Sequence, residues 1–157
     1  MPRQLSRGLG VALLMCTAAA PCIGDPAPAG ATVFANHCAV CHGPEAAGIP
    51  GSFPPLHEQV VAFAKLPAGR DYLVMVVTTG LTGELQVGGN TYRGVMPAQS
   101  TLSESEVASV LNYLGSGLGK IKQPPPFNAK DVSDVRARHP DKSPQSTHAL
   151  RPSPSGP

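Results

Sequence analysis

The five-residue run Cys38-Ala39-Val40-Cys41-His42 is the part of this chain whose residue types and spacing best fit a chemical role. Two thiols separated by two residues on one helical turn can reach two neighbouring vinyl groups of a single porphyrin. His42, the next residue, then faces the iron from one side. This spacing indicates covalent attachment of one haem c, with Cys38 and Cys41 as its thioether residues and His42 as an iron ligand.

Three other uses of a cysteine pair fit these residues less well. A disulfide between Cys38 and Cys41 would close almost no loop and would stabilise little. A thioredoxin-like redox pair follows a strand of a βαβ unit, and no such pattern precedes Cys38. A structural zinc site requires a second pair of ligands at similar spacing, and neither His37 nor His57 has such a partner. Haem attachment is therefore the preferred interpretation.

The second iron ligand is expected to be a methionine. Beyond the N-terminal segment the chain has two methionines, Met75 and Met96. Met75 lies in an apolar run, where a methionine usually fills core space. Met96 lies in a predicted loop in which Gly94 permits close approach to a flat cofactor and Pro97 stiffens the backbone. Met96 is therefore the predicted axial ligand, and iron held by His42 and Met96 has no free coordination position.

His37 and His57 are the competitors for this second axial position. His37 adjoins Cys38 on the same helical turn and cannot reach the opposite face of the ring. His57 stands fifteen residues after His42 and is expected on the same side of the ring as His42. Both are interpreted as ordinary polar residues.

The segments that must position these residues are mostly helical. Gly30 to Cys41 carries apolar residues at helical spacing, whereas residues 43–55 are rich in Gly and Pro and predict a loop. Gly69 to Thr79 is compatible with a buried strand or a buried helix. Asp71 at its front and Gly80 at its back favour the helix.

A hairpin and a helix are predicted further along the chain. Leu85 to Arg93 alternates apolar and polar residues around Gly88-Gly89-Asn90, which indicates a short hairpin. Ser103 and Glu106 form a capping box, and an apolar stripe at helical spacing follows it. The predicted fold class is therefore all-α, with one short hairpin before the Met96 loop.

Residues 1–24 have the pattern of a secretory signal peptide. Two arginines open the segment, an apolar stretch of about a dozen residues follows, and small residues end it. The stretch is too short to cross roughly 30 Å of hydrocarbon as a helix. The mature chain is therefore expected in the periplasm, without a membrane span. An uncleaved anchor, or a lipid on Cys16 or Cys22, remains the alternative.

Residues 25–119 form the predicted monohaem domain, and residues 120–157 a basic, proline-rich tail. The tail has seven Lys/Arg against three Asp/Glu and few apolar residues, which predicts disorder. The domain has three Lys/Arg against seven Asp/Glu, so the alternative is that the tail folds against it or guides docking electrostatically. With no Trp and few other aromatic residues, the domain also leaves room for a large apolar cofactor. No nucleic-acid partner is expected.

These residues together resemble the class I c-type cytochrome family, over about residues 30–117. Gly30 before the first cysteine and Tyr113 on the last predicted helix match positions at which the family's first and last helices cross. Pro54-Pro55-Leu56 is similar to the family's Pro-x-Leu segment. The resemblance implies a cytochrome c fold, in which the carbonyl of Pro54 accepts a hydrogen bond from Nδ1 of His42 and fixes the ring.

The stretch from Gly80 to Ala98 looks like that of bacterial cytochrome domains that serve nitrite reductases and other periplasmic oxidoreductases. The resemblance implies a single-electron carrier of a respiratory chain, not an enzyme, with a periplasmic reductase, dehydrogenase or oxidase as its partner. Two other functions stay open. One is a cytochrome subunit of a periplasmic dehydrogenase or reductase complex, and the other is a haem peroxidase or gas sensor with an open sixth position.

Overall fold

The structure, a computed structural model, describes residue 1, residues 29–120 and residues 125–153. Apart from residue 1, the predicted signal peptide of residues 1–24 lies outside this description. Helices dominate the described ranges, which confirms the predicted all-α class. In chain order the elements are α1 (Gly30–His37), α2 (Ala39–His42), α3 (His57–Ala64), α4 (Pro67–Thr79), β1 (Leu81–Thr82), β2 (Leu85–Val87), β3 (Asn90–Tyr92), β4 (Val95–Met96), α5 (Glu104–Gly115), α6 (Ala129–Arg138) and α7 (Pro144–Ala149).

Helices α1 and α5 pack closely against each other. A side chain at Gly30 would collide with the backbone carbonyl of Ser109, so a glycine is required where the helices touch. The rings of Phe34 and Tyr113 meet beside this point, with their centroids 5.8 Å apart. Helix α5 begins at the predicted capping box, in which the Ser103 hydroxyl accepts a hydrogen bond from the backbone N–H of Glu106.

The predicted helix from Gly30 to Cys41 is interrupted at Cys38. Cys38 has φ −113° and ψ −37°, which ends α1 and begins the short helix α2. Its backbone N–H still donates to the carbonyl of Phe34 at 2.9 Å, and its own carbonyl accepts from the N–H of His42 at 2.9 Å. The chain therefore stays wound through the motif, and α2 ends at Gly43 with φ 75°.

The apolar run that was compatible with either a helix or a strand forms helix α4. Met75 in this helix is 1% exposed inside the core, as expected of a space-filling methionine. Helix α3 was not predicted. An eight-residue helix is marginal alone, and this one depends on packing against α4 and α5. The rings of Phe63 and Tyr72 meet edge to face in that contact, with centroids 5.5 Å apart.

Two small antiparallel ribbons follow α4. Strands β2 and β3 form the predicted hairpin, with Leu85 opposite Tyr92, and its turn places Gly88 at φ 55° and Gly89 at φ 78°. Strands β1 and β4 form a second ribbon that encloses the first in sequence. It was not predicted, because strands of two residues carry no readable alternation.

The prediction of a disordered tail over residues 120–157 is wrong for residues 125–153. Helix α6 begins with a capping box of its own, formed by Asn128 and Asp131. Val132 and Val135 are buried, and α6 packs against α4 and α5. Phe127, just before the helix, is also buried, beneath the guanidinium of Arg70.

Ion pairs and the final helix complete this C-terminal docking, which agrees with the alternative that the basic segment folds against the acidic domain. The Arg136 guanidinium lies 2.9 Å from the Glu104 carboxylate, and that of Arg138 lies 2.7 Å from the Asp71 carboxylate. Helix α7 packs against α4 and β1. Among the described residues, no helix is long and apolar enough to span a membrane.

Candidate haem site

Helices α1 and α2 bring the two cysteines of the motif together. Both are free thiols and both are partly buried. Burial, and secondarily the neighbouring Cys41, raise the pKa of Cys38 to about 11, so this thiol stays protonated at neutral pH. Two free thiols flanking one helical turn are what thioether attachment of a porphyrin requires.

His42 is buried, with 7% of its surface exposed, and its ring is anchored on one side. Its Nδ1 lies 2.9 Å from the carbonyl oxygen of Pro54, the contact that the resemblance implied. Burial lowers the pKa of His42 more than this hydrogen bond raises it, so the ring is neutral at pH 7. Nδ1 then carries the proton and donates it, while no described residue bonds Nε2. This leaves Nε2 with the free lone pair that an iron ligand needs.

The loop after α2 holds the Pro54 carbonyl in place. The N–H of Gly48 donates to the carbonyl of His42 at 2.8 Å, and Ile49 and Phe53 form an isolated antiparallel bridge. The Phe53 ring stands edge-on to the His42 ring, with centroids 6.4 Å apart. Gly48, at φ 70°, lies so close to the backbone of Phe53 and Pro54 that a side chain would collide with it.

Met96 comes from a different element, the ribbon of β1 and β4. It is half-buried against the core and stands opposite Leu81 in the ribbon. A β-carbon at Gly80 would lie 2.6 Å from the carbonyl oxygen of Met96, so this glycine permits the close approach. The N–H of Gln99 donates to the carbonyl of Val77 at 2.9 Å. The Met96 segment is therefore held against the end of α4.

These residues fit a covalently held haem. Two thiols, one imidazole with a free nitrogen and one thioether are the donors that such a group takes from a protein. The zinc alternative gains no support, because no group of three or more His, Cys, Asp or Glu side chains in the described ranges could hold a metal ion. His37 lies on α1 beside the motif, and His57 begins α3.

Comparison with known proteins gives matches across most of the domain. The family model described as cytochrome c oxidase, cbb3-type, subunit III matches residues 25–114. Cytochrome c-552 of Thermus thermophilus is 40% identical over 112 residues, which cover 69% of this chain and 85% of that protein. The cytochrome c subunit of the quinone alcohol dehydrogenase of Gluconobacter oxydans is 32% identical over 115 residues, which cover 72% of this chain and 23% of that protein.

An all-α fold that presents Cys-x-x-Cys-His at the end of its first helical segment defines a haem protein of the c type. With the matches above, the chain belongs to the class I c-type cytochrome family. It carries covalently bound haem c with iron, and its function is electron transfer.

Proposed function

We propose that this chain is a periplasmic single-electron carrier with one haem c, attached through Cys38 and Cys41 and ligated by His42 and Met96. The supporting observation is the buried His42 ring, whose Nδ1 is anchored to Pro54 while Nε2 has no partner among the described residues. When bound, the haem supplies a one-electron couple at its iron. The signal-like pattern of residues 1–24 supports export to the periplasm.

The roles of the chain's own residues follow from their contacts. Pro54 fixes the orientation of the His42 ring, and the ribbon holds the backbone of Met96. With both residues in place, no coordination position is left for oxygen or peroxide. Helices α4 and α5 supply the buried apolar side chains that exclude water. Such a site would allow the haem to accept and donate single electrons while excluding reactions with oxygen, peroxide or water.

Three exposed apolar side chains lie close in sequence to the motif or to its supporting loops. The turn from Ile49 to Phe53 contacts His42 through the Phe53 ring. The same turn approaches the Met96 segment, because a β-carbon at Gly94 would lie 3.8 Å from the carbonyl oxygen of Ser52. The three side chains and their exposed fractions are Val40 at 84%, Ile49 at 51% and Val95 at 69%.

We define Val40, Ile49 and Val95 as the apolar patch and propose that the redox partner docks there. Exposed valine and isoleucine side chains around a buried functional group suit a small, short-lived interface. Few charged residues flank them in sequence: residues 43–57 include a single acidic residue, Glu45, and residues 93–101 include a single charged residue, Arg93, which is paired with Glu84. The patch would therefore recognise its partner mainly by apolar contact.

The Met96→Ala variant tests the proposed ligation. A methionine thioether on ferric iron gives a weak charge-transfer band at the red end of the visible spectrum. The variant is expected to lose this band and to begin binding carbon monoxide in the reduced state, because the sixth position becomes open. Absorption spectra of the purified holoprotein measure both.

Met75→Leu is the matched control, because Met75 lies in the core and this exchange nearly conserves volume. It should retain the band and exclude carbon monoxide. A band that persists in Met96→Ala, or one that disappears in Met75→Leu, would contradict ligation by Met96.

A second candidate function is that of a cytochrome subunit in a periplasmic dehydrogenase or reductase complex. The similarity to the cytochrome c subunit of a quinone alcohol dehydrogenase favours it. Co-purification of the tagged, unmodified chain with a larger redox protein distinguishes a subunit from a free carrier. Carbon monoxide binding by the unmodified protein would instead favour a peroxidase or gas sensor.

A further inference from the structure

We infer that helix α7 is a positioning element for Met96, acting through His148 and strand β1. The inference rests on the proposed role of Met96 as an iron ligand. It gives the docked C-terminal segment a part in the electron-transfer site, through contacts of α7 with α4 and β1.

His148 makes the contact that joins α7 to the ribbon. Its Nε2 lies 2.9 Å from the carbonyl oxygen of Glu84. Its ring also fills the space beside Gly83, where a β-carbon would lie 2.7 Å from the ring carbon Cδ2. Gly83 has φ 119°, a conformation that favours glycine. The two residues that follow β1 are thus shaped to receive this imidazole.

Strand β1 passes this support on to Met96 through the backbone. Leu81 stands opposite Met96, and Thr82 stands opposite Val95. A ribbon with strands of two residues has too few hydrogen bonds to be stable alone. The end of α4 supports it through Gly80 on one side, and α7 supports it on the other.

Helix α7 is itself well anchored, so it can act as a support. Thr147 is fully buried, and Leu150 packs against the core. The hydroxyl of Ser143 caps the helix by accepting from the N–H of Ser146 at 3.1 Å. Arg151, just after the helix, donates to the side chain of Gln59 at 2.9 Å.

Local opening of the ribbon would release Met96 before the domain unfolds, because short elements open more readily than the core. Removing the His148 contact should increase this opening. Loss of one hydrogen bond corresponds to about a fivefold change in such an equilibrium. His148→Ala is therefore expected to raise carbon monoxide binding by the reduced protein, and amide exchange in β1 and β4, by about fivefold.

The experiment compares the unmodified holoprotein with three variants. His148→Ala removes the contact, while His148→Gln keeps an N–H that can reach the Glu84 carbonyl. Arg136→Ala removes an ion pair between α6 and α5, away from the ribbon. The measurements are loss of the methionine charge-transfer band with denaturant, loss of helical circular dichroism in the same samples, carbon monoxide binding and amide exchange.

In His148→Ala the band should disappear at a denaturant concentration clearly below that of global unfolding, and His148→Gln should restore the unmodified behaviour. In Arg136→Ala the two transitions should move together. Equal effects of His148→Ala and Arg136→Ala, or no restoration by glutamine, would overturn the inference alone. Absence of the band from the unmodified protein would overturn ligation by Met96 and, with it, this inference.

Discussion

The hydrogen bond from His42 to Pro54 depends on a glycine elsewhere in the same loop. Gly48 has φ 70°, and a side chain there would collide with the backbone of Phe53 and Pro54. Gly51 has a similar φ of 76°, but no atom lies within 4 Å of its would-be β-carbon. The two positions have similar positive φ angles and differ in what surrounds them.

Gly48→Ala is expected to displace the Pro54 carbonyl and weaken its bond to His42. A less basic imidazole stabilises ferric iron less, so the reduction potential should rise. A tenfold change in the relative affinity for the two oxidation states would correspond to about 60 mV. Redox titration of the holoprotein measures the shift.

Gly51→Ala serves as the control, because alanine at positive φ costs about 1–2 kcal/mol at either position. It should lower stability by this conformational cost alone, which is less than the loss in Gly48→Ala with its added backbone collision, and should not move the potential. Equal potentials in the two variants would contradict the role given to Gly48.

At the scale of single residues, the sequence alone predicts the haem-attachment motif but not the glycines that position the surrounding backbone. The spacing of Cys38, Cys41 and His42 is local information. The contact from Pro54 followed from a family resemblance. Glycine is needed at Gly48 and Gly80 because other backbone segments pass close to them in the folded chain. Such tertiary contacts cannot be predicted from local sequence.

Among the elements, α6 shows how a charged helix is held on this domain. Asp71 on α4 lies 2.7 Å from the Arg138 guanidinium and 3.0 Å from Nε2 of His139. Burial raises the pKa of Asp71, but Arg138 and His139 together lower it by a larger amount. The pKa of Asp71 therefore lies below its ordinary value of 3.8. The stability from this carboxylate is therefore present above about pH 4 and is lost as the pH falls through the depressed pKa.

Asp71→Asn is expected to loosen α6 at neutral pH and to remove part of its acid sensitivity. The partly exposed ion pair is worth at most about 1 kcal/mol after solvent screening. Protection of the α6 amides from exchange, relative to their intrinsic rates and followed from pH 3 to pH 6, should fall by up to about fivefold at the upper end and depend less on pH.

Asp134→Asn is the comparison variant, because the partner of Asp134 is Lys130 within the same helix. Its exchange profile should keep the acid dependence of the unmodified protein. The role of Asp71 would be refuted if both variants gave the same profile.

Element prediction succeeded where amphipathic period and end signals agreed. Helix α5 has both a capping box and an apolar stripe. Helix α6 also has a capping box, at Asn128 and Asp131, but it buries few apolar side chains among charged ones. Its stability comes from tertiary contacts, so the composition of the segment alone wrongly predicted disorder. The strands of the ribbon, two residues each, are too short for an alternation to appear.

Considered as a whole molecule, the protein builds its two surfaces of interest from different elements, and these adjoin at the ribbon, where Thr82 stands opposite Val95. The C-terminal segment lies on α4, α5 and β1, whereas the apolar patch belongs to α2, the following loop and β4. Few charged residues flank the patch in sequence, so a charge introduced there would face desolvation on docking.

Val40→Lys and Val95→Lys are each expected to slow electron transfer to the physiological partner by about tenfold, the factor that corresponds to 1.4 kcal/mol. The haem spectrum should stay unchanged, because neither side chain is buried. Stopped-flow kinetics with the partner measures the rate. Leu66→Lys, an exposed apolar position on the α3–α4 connection, should leave it unaltered, and unchanged rates in both valine variants would exclude docking at the patch.

The close contact between α1 and α5 has a consequence for how the chain folds. These helices lie at opposite ends of the domain sequence, and residues 125–153 then dock on elements that precede them by many residues. Contacts of such long sequence separation slow folding, because loop-closure entropy is lost before the contacts repay it. On a chain emerging from its amino terminus, the motif at residues 38–42 therefore exists well before the segments that will bury it. The thiols are accessible during that interval, and they become partly buried when the later segments pack.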